Sequence, residues 1–181
     1  MALKILSKNE IFKGKYNSFW ETRFLDKNGN EGVWEWMKKK DFVSVLAITK
    51  EKELVIIKQF RISNEKYCYQ TVAGQIDATD KNPEDAARRE LMEETGYEAE
   101  KFIALASVLN APGSLSNIVY PFIALNAHRV NDNRGDATED IEVVKIPMEK
   151  LYEFYTTCPE DCDFSQRIIA NFEVARNLKL I

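Results

Sequence analysis

The sequence has one histidine, three cysteines and no apolar run near the length of a membrane span. A spanning helix needs about 20 consecutive apolar residues, so no transmembrane segment is expected. The opening MALKILSKNE holds too short an apolar stretch for a signal peptide. Cys68, Cys158 and Cys162 are too sparse, and odd in number, for a disulfide framework, which points to reduced thiols and a cytoplasmic setting. Cys158, Cys162 and His128 fit no standard structural zinc spacing. A formal net charge of −4 gives no general pull towards nucleic acid or anionic membrane. There is no internal repeat and no low-complexity tail.

What the chain does have is core material. Its 181 residues are 45% apolar and 11% aromatic, enough for one domain with a small appendage. Residues 18–25 and 32–37 read as strands joined through Asn28-Gly29, a strong hairpin signal. Residues 2–40 are expected to form a small N-terminal β subdomain, with the main domain over 41–181. Phe42 to Thr49 and Leu54 to Phe60 are rich in Val, Ile and Leu, as central strands are. Strands are also expected over 67–72, 101–109, 118–125 and 141–146. A helix is expected to open at Pro147 and run through Tyr155, and a last one to span about 163–178. Residues 110–117 and 127–140 read as loops.

The stretch that organises the rest is AGQIDATDKNPEDAARRELMEETGY, from Ala73 to Tyr97. Asn82 is placed to cap a helix, Pro83 suits its first turn, and Asp85 can complete a capping box. Gly96 supplies the left-handed exit. Glu90, Glu93 and Glu94 are spaced i, i+3, i+4 and share a face, where like charges repel. A divalent cation with a taste for oxygen ligands would hold them together; a solvated acidic surface is the alternative reading. Arg89 stands four residues before Glu93 and can pair with it, while Ala87 and Leu91 can pack the helix onto a sheet. Arg61, after a strand, has the forked donors that clamp phosphate, although a lone arginine in that position is more often an ordinary surface residue.

RRELMEETGY resembles the core of the Nudix box, G-x5-E-x7-R-E-U-x-E-E-x-G-U with U apolar. Arg89, Glu90, Leu91, Glu93, Glu94, Gly96 and Tyr97 match, as does the opening Gly74. Asp80 stands where the pattern has its first glutamate, and eight residues rather than seven separate it from Arg89. The flanks resemble the ADP-ribose and nucleoside-diphosphate-sugar pyrophosphatase branch: Gln59, Phe60 and Arg61 match its Q-[YF]-R, and QTVAGQID from Gln70 to Asp77 resembles its E-x-P-A-G-x-I-D. Gln70 replaces a glutamate there, Val72 a proline, and Asn117 the glutamate of a later S-P-G-x-x-x-E loop.

The resemblance implies an α/β fold, the Nudix α/β/α sandwich around a mixed sheet, with an N-terminal β subdomain that often joins a partner chain in a homodimer. It implies metal-dependent hydrolysis of a nucleoside diphosphate linked to X, such as a nucleotide sugar like GDP-mannose, or ADP-ribose. The products are a nucleoside monophosphate and phosphorylated X. Mg²⁺ or Mn²⁺ would be held by Glu90, Glu93, Glu94 and the carbonyl of Ala73. Arg61, Gln70 and Asn117 would contact a small-molecule nucleotide, and Trp34 and Trp20 would stack on the base unless they are hairpin core. Arg89 would orient Glu93. The base is expected from Ala137 to Glu142, with Glu139 first and Glu142 and Asp140 behind it. A triphosphate pyrophosphohydrolase, a non-hydrolytic nucleotide-binding module and a purely structural protein remain as alternatives.

Overall fold

Near-continuous apolar runs become the central strands because both of their faces are covered. In the computed structural model, which describes residues 3–131 and 140–181, Val43, Val45, Ala47, Val55 and Ile57 turn to one core, and Leu46, Ile48, Leu54 and Ile56 to another. These residues belong to β4 (Phe42–Thr49) and β5 (Glu53–Arg61), and their alternation is that of strands buried on both sides. The chain divides into two compact units: Met1–Asp41 with Ser107–Val119, and Phe42–Ala106 with Tyr120–Ile181.

The first unit is built on an antiparallel sheet of β1 (Lys4–Lys13), β2 (Ser18–Leu25) and β3 (Glu31–Lys38). The β2–β3 hairpin forms over the expected residues, with Gly29 at positive φ in its turn. Strand β1 is an addition to the expected pair. Nearly all its residues are exposed, so it carries no in–out alternation to betray it.

The second unit has a mixed sheet in the order β12-β6-β5-β4-β10-β8, with β11 also pairing β5 and β7 pairing β4; the short β9 pairs with the first two residues of β10 within the first unit. The members not yet placed are β6 (Lys66–Gln70), β7 (Val72–Gln75), β8 (Tyr97–Ala104), β9 (Val108–Leu109), β10 (Ile118–Arg129), β11 (Ile141–Pro147) and β12 (Cys162–Phe164). Helix α1 (Pro83–Thr95) covers one face through Ala86, Ala87 and Leu91. Helices α2 (Leu151–Thr156) and α3 (Gln166–Asn177) cover the other through Leu151, Ile168, Phe172 and Ala175. This is the expected α/β/α sandwich. No helix among the described residues is long and apolar enough to cross a membrane.

Several boundaries differ from those read in the sequence. The strand expected over 67–72 breaks at Thr71, where the chain leaves β5 and joins β4. The buried Thr71 hydroxyl bonds that of Ser44 at 2.8 Å, so the break is satisfied internally. Strand β8 starts at Tyr97, directly after Gly96, and β10 runs on to Arg129 because its end pairs with that start. The helix expected at Pro147 begins as a 3₁₀ turn over Met148–Lys150. Residues 162–164 pair in parallel with β6, and this delays α3 to Gln166.

Candidate active site

Helix α1 is delimited by its own ends. The Asn82 side chain accepts from the Asp85 N–H at 3.0 Å, Pro83 opens the first turn, and Gly96 exits at φ 71°. With Ala86, Ala87 and Leu91 buried, rotation about the axis is set, and the three glutamates fall at different depths. Glu94 is 6% exposed, and the side chains of Glu90 and Glu93 are 13% and 57% exposed. The shared stripe therefore descends from solvent into the protein.

Strand β7 meets this stripe from below. The Ala73 N–H donates to Glu94 Oε2 at 3.3 Å. Gly74 lies under Glu90: a Cβ at position 74 would stand 1.9 Å from Glu90 Cδ and 2.0 and 2.2 Å from its oxygens. Glycine here is a matter of close approach, not of positive φ. Ala73, Glu90 and Glu94 are thus brought together by the β4–β7 register, which sets Gly74 opposite Val43.

Arg89 is the hub. Its Nη1 donates to Glu90 Oε1 at 2.7 Å and to Glu93 Oε2 at 3.0 Å. Its Nε and Nη2 take the Asp80 carboxylate at 3.1 and 2.9 Å, and Nη2 also reaches the Gln75 carbonyl at 3.0 Å. The longer loop thus brings Asp80 onto Arg89, and the Asp77 N–H donates at 2.8 Å to Asp80 Oδ2, the oxygen that also accepts from Arg89 Nη2. Asp80 chiefly, then Glu90 and Glu93, push the Arg89 guanidinium above its ordinary value against the cost of burial. Hydrogen bonds from Arg89 and then from the Asp77 backbone hold the Asp80 carboxyl below the usual carboxylate range.

This coupling has a pH signature. A carboxyl depressed in the fold contributes stability that is complete above its unfolded value, about 3.9, and is lost as pH falls through the lower folded value. Asp80→Asn is expected to be less stable than wild type at pH 7, with the gap closing as urea melts are repeated down to pH 3. A gap that stays constant over that range would mean that Asp80 does not act through its charge.

Arg61, at the end of β5, donates Nε and Nη2 to Gln70 Oε1 at 3.1 and 2.7 Å, and Gln70 Nε2 donates to Gln59 Oε1 at 2.8 Å. Both glutamines are buried. Gln70 is a neutral acceptor, so it orients the guanidinium without cancelling its charge. Gln59, a motif position with no role assigned from the sequence, joins this chain through Gln70.

Of the base candidates, Glu139 lies outside the described residues. Asp140 accepts from the Tyr67 hydroxyl at 2.6 Å. Glu142 stands 3.9 Å from Lys58 and alternates with Ile141 and Val143, which turn to the core under α1. It therefore points to the face away from α1.

The remaining candidates belong to the first unit. Trp34 is half exposed and donates to the Gly113 carbonyl at 2.7 Å. Trp20 stacks on Trp36 at 5.6 Å, with Lys38 over its ring. Asn117 is buried; its Nδ2 donates to the Lys40 carbonyl at 3.3 Å, and its Oδ1 has no hydrogen-bond partner among the described residues.

Among the described residues, no three His, Cys, Asp or Glu side chains stand together at metal-binding separation; Arg89 draws Glu90 and Glu93 to itself. The donor set nevertheless suits a hard divalent cation. It is all oxygen, its Cβ atoms are fixed by one helix, and Gly74 leaves room at Glu90 for the carboxylate to turn.

The NUDIX domain family model matches residues 38–167. The chain is 33% identical over 147 residues to an ADP-ribose pyrophosphatase of Bacillus subtilis (strain 168), covering 81% of this chain and 79% of that one. It is 33% identical over 165 residues to an ADP-sugar pyrophosphatase of Mus musculus, covering 81% and 74%. A crystal structure described as an ADP compounds hydrolase superposes with a TM-score of 0.81 at 22% identity, over 98% of this chain and 94% of that one, and so shares the fold. The matched span contains Gly74, the Arg89 hub and the whole glutamate stripe, and the chain belongs to the NUDIX family.

Proposed function

We propose that this Nudix pyrophosphohydrolase cleaves a nucleoside diphosphate linked to a sugar or other group X, with ADP-ribose and nucleotide sugars such as GDP-mannose as the substrate class. The reading rests above all on the descending glutamate stripe, locked by Arg89 over Gly74. That arrangement suits a diphosphate, whose negative charge is the main obstacle to attack by water.

Glu90, Glu93, Glu94 and the Ala73 carbonyl would hold Mg²⁺ or Mn²⁺. Such an ion supplies charge neutralisation at the phosphates and a more acidic water. Arg89 fixes the rotamers of Glu90 and Glu93. Arg61, oriented by Gln70, donates its remaining N–H groups to a phosphate oxygen. Of the first-unit candidates, Trp34, half exposed, is the one with a face left for a base, since Trp20 is covered by Trp36 and Lys38. The water oxygen bonds to one phosphorus as the bond to the bridging oxygen breaks, giving nucleoside monophosphate and phosphorylated X. A carboxylate takes the water's proton, with Glu139 the first candidate; Glu142, which faces away from α1, is set aside.

The N-terminal segment, residues 1–40, is read as a subdomain that builds a homodimer. The exposed Ile5, Ile11, Phe12, Tyr16 and Val33 support this, since a monomer seldom leaves so much apolar surface on one small unit. Light scattering at micromolar concentration tests it, and a monomer there would remove the dimer from the account.

The decisive test of function is a panel of ADP-ribose, GDP-mannose, other nucleotide sugars, dinucleotides and triphosphates with Mg²⁺ or Mn²⁺, read by phosphate release after phosphatase coupling. Turnover is expected with diphosphate-linked compounds and only in the presence of the cation. Preference for triphosphates, or binding without turnover, would overturn the assignment.

A further inference from the structure

We propose that Arg167 is a second phosphate-holding arginine, gripping with Arg61 the diphosphate of the substrate; this rests on the function proposed above. Nothing in the sequence marks Arg167, which sits in the first turn of a helix on the far side of the sheet from α1. Three observations bring it to the site.

Its guanidinium lies over the ring of Phe42, with Cζ 5.2 Å from the centroid. Phe42 opens β4 and is in register with Gln75, the end of β7, whose carbonyl is held by Arg89. Arg61 meets the same segment from its other end, through Gln70. The run Gln70 to Gln75, which carries Ala73 and Gly74, thus has Arg61 bonded at Gln70 and the ring partner of Arg167 paired at Gln75.

The two charges also feel each other. Burial first, and then the positive charge of Arg61, push the Arg167 guanidinium below its ordinary value. Two cations kept within range of one another cost free energy that a shared anion returns. The polar face of α3 continues one turn on at Asn171, which is 7% exposed and whose Nδ2 has no hydrogen-bond partner among the described residues.

The test is calorimetric binding of α,β-methylene-ADP, a non-cleavable diphosphate, in Mg²⁺ buffer to wild type, Arg61→Ala, Arg167→Met, Arg167→Lys and the Arg61→Ala/Arg167→Met double variant. Methionine keeps an unbranched stem on Phe42 and removes the charge. It is expected to weaken binding about 10- to 100-fold, the scale of one charged hydrogen-bonding group. Lysine is expected to recover part of that loss, because it restores charge without the fork. The double variant is expected to lose less than the product of the two single losses, since both arms grip one anion.

Wild-type affinity in Arg167→Met overturns the proposal and leaves the functional reading standing. Should that variant fail to fold, Arg167→Lys decides: a loss of about threefold or more is expected, and unchanged affinity overturns the forked contact. No binding by the wild-type protein would sink the functional reading itself, and this inference with it.

Discussion

Glu94→Gln is expected to lower turnover by about two to three orders of magnitude while leaving the fold in place. Glutamine has the length and shape of glutamate, and its carbonyl oxygen can still accept from the Ala73 N–H that now meets Glu94 Oε2 at 3.3 Å. What disappears is one negative charge at the deepest point of the stripe. A loss on that scale corresponds to about 3–4 kcal/mol of transition-state stabilisation, far more than a neutral hydrogen bond supplies. Three measurements check it: kcat/KM on the best substrate of the panel, thermal melting, and Mn²⁺ binding by calorimetry. Turnover and Mn²⁺ affinity are expected to fall together, with the melting temperature little changed. Near-normal turnover would reject Glu94 as a metal ligand.

Gly74→Ala separates packing from chemistry at the same site. The new methyl group would need the space held by the Glu90 carboxylate, 1.9 Å away at Cδ. The obstacle is the end of a flexible side chain rather than backbone, so Glu90 can swing aside for about 0.5–1.5 kcal/mol. Alanine also costs less backbone entropy than glycine in a strand, which offsets part of this. Melting is therefore expected to move by only a few degrees, on the scale of roughly 2–4 °C per kcal/mol for a chain of this size. Activity is expected to fall about 10- to 100-fold, because the swing takes Glu90 away from Arg89 Nη1 and from its place beside Ala73. Full activity in this variant would remove Glu90 from the machinery. A collapse in stability would instead mean that the glycine serves packing alone.

Both variants act on features that differ in how far the sequence exposes them. The Glu94 stripe is readable because it is intrahelical: a period of 3.6 residues sets three carboxylates on one face whatever the helix packs against. The caps at Asn82 and Gly96 are readable for the same reason, since each is a contact within a few residues. The role of Gly74 is visible as a motif position, but its cause is not, because the atom it makes room for lies sixteen residues away on another element.

The misread boundaries share one origin. Thr71 reads as strand by propensity, and a change of strand partner interrupts it. Residues 162–164 read as the start of a helix and are taken by pairing to β6. Strand β1 has no buried face and hence no alternation to detect.

The fold class came through the motif resemblance; by itself, then, the order of residues determined the central strands β4 and β5, the capped helix α1, and the alignment of Glu90, Glu93 and Glu94. All of these follow from periodicity and from contacts local in the chain. Only the tertiary structure decided that the three glutamates differ in depth, that Asp80 closes onto Arg89, that Gln59 and Gln70 hold Arg61, and that Arg167 lies over Phe42. Each of these depends on strand register and helix docking, which join residues far apart in sequence and are set by burying both faces of the sheet at once.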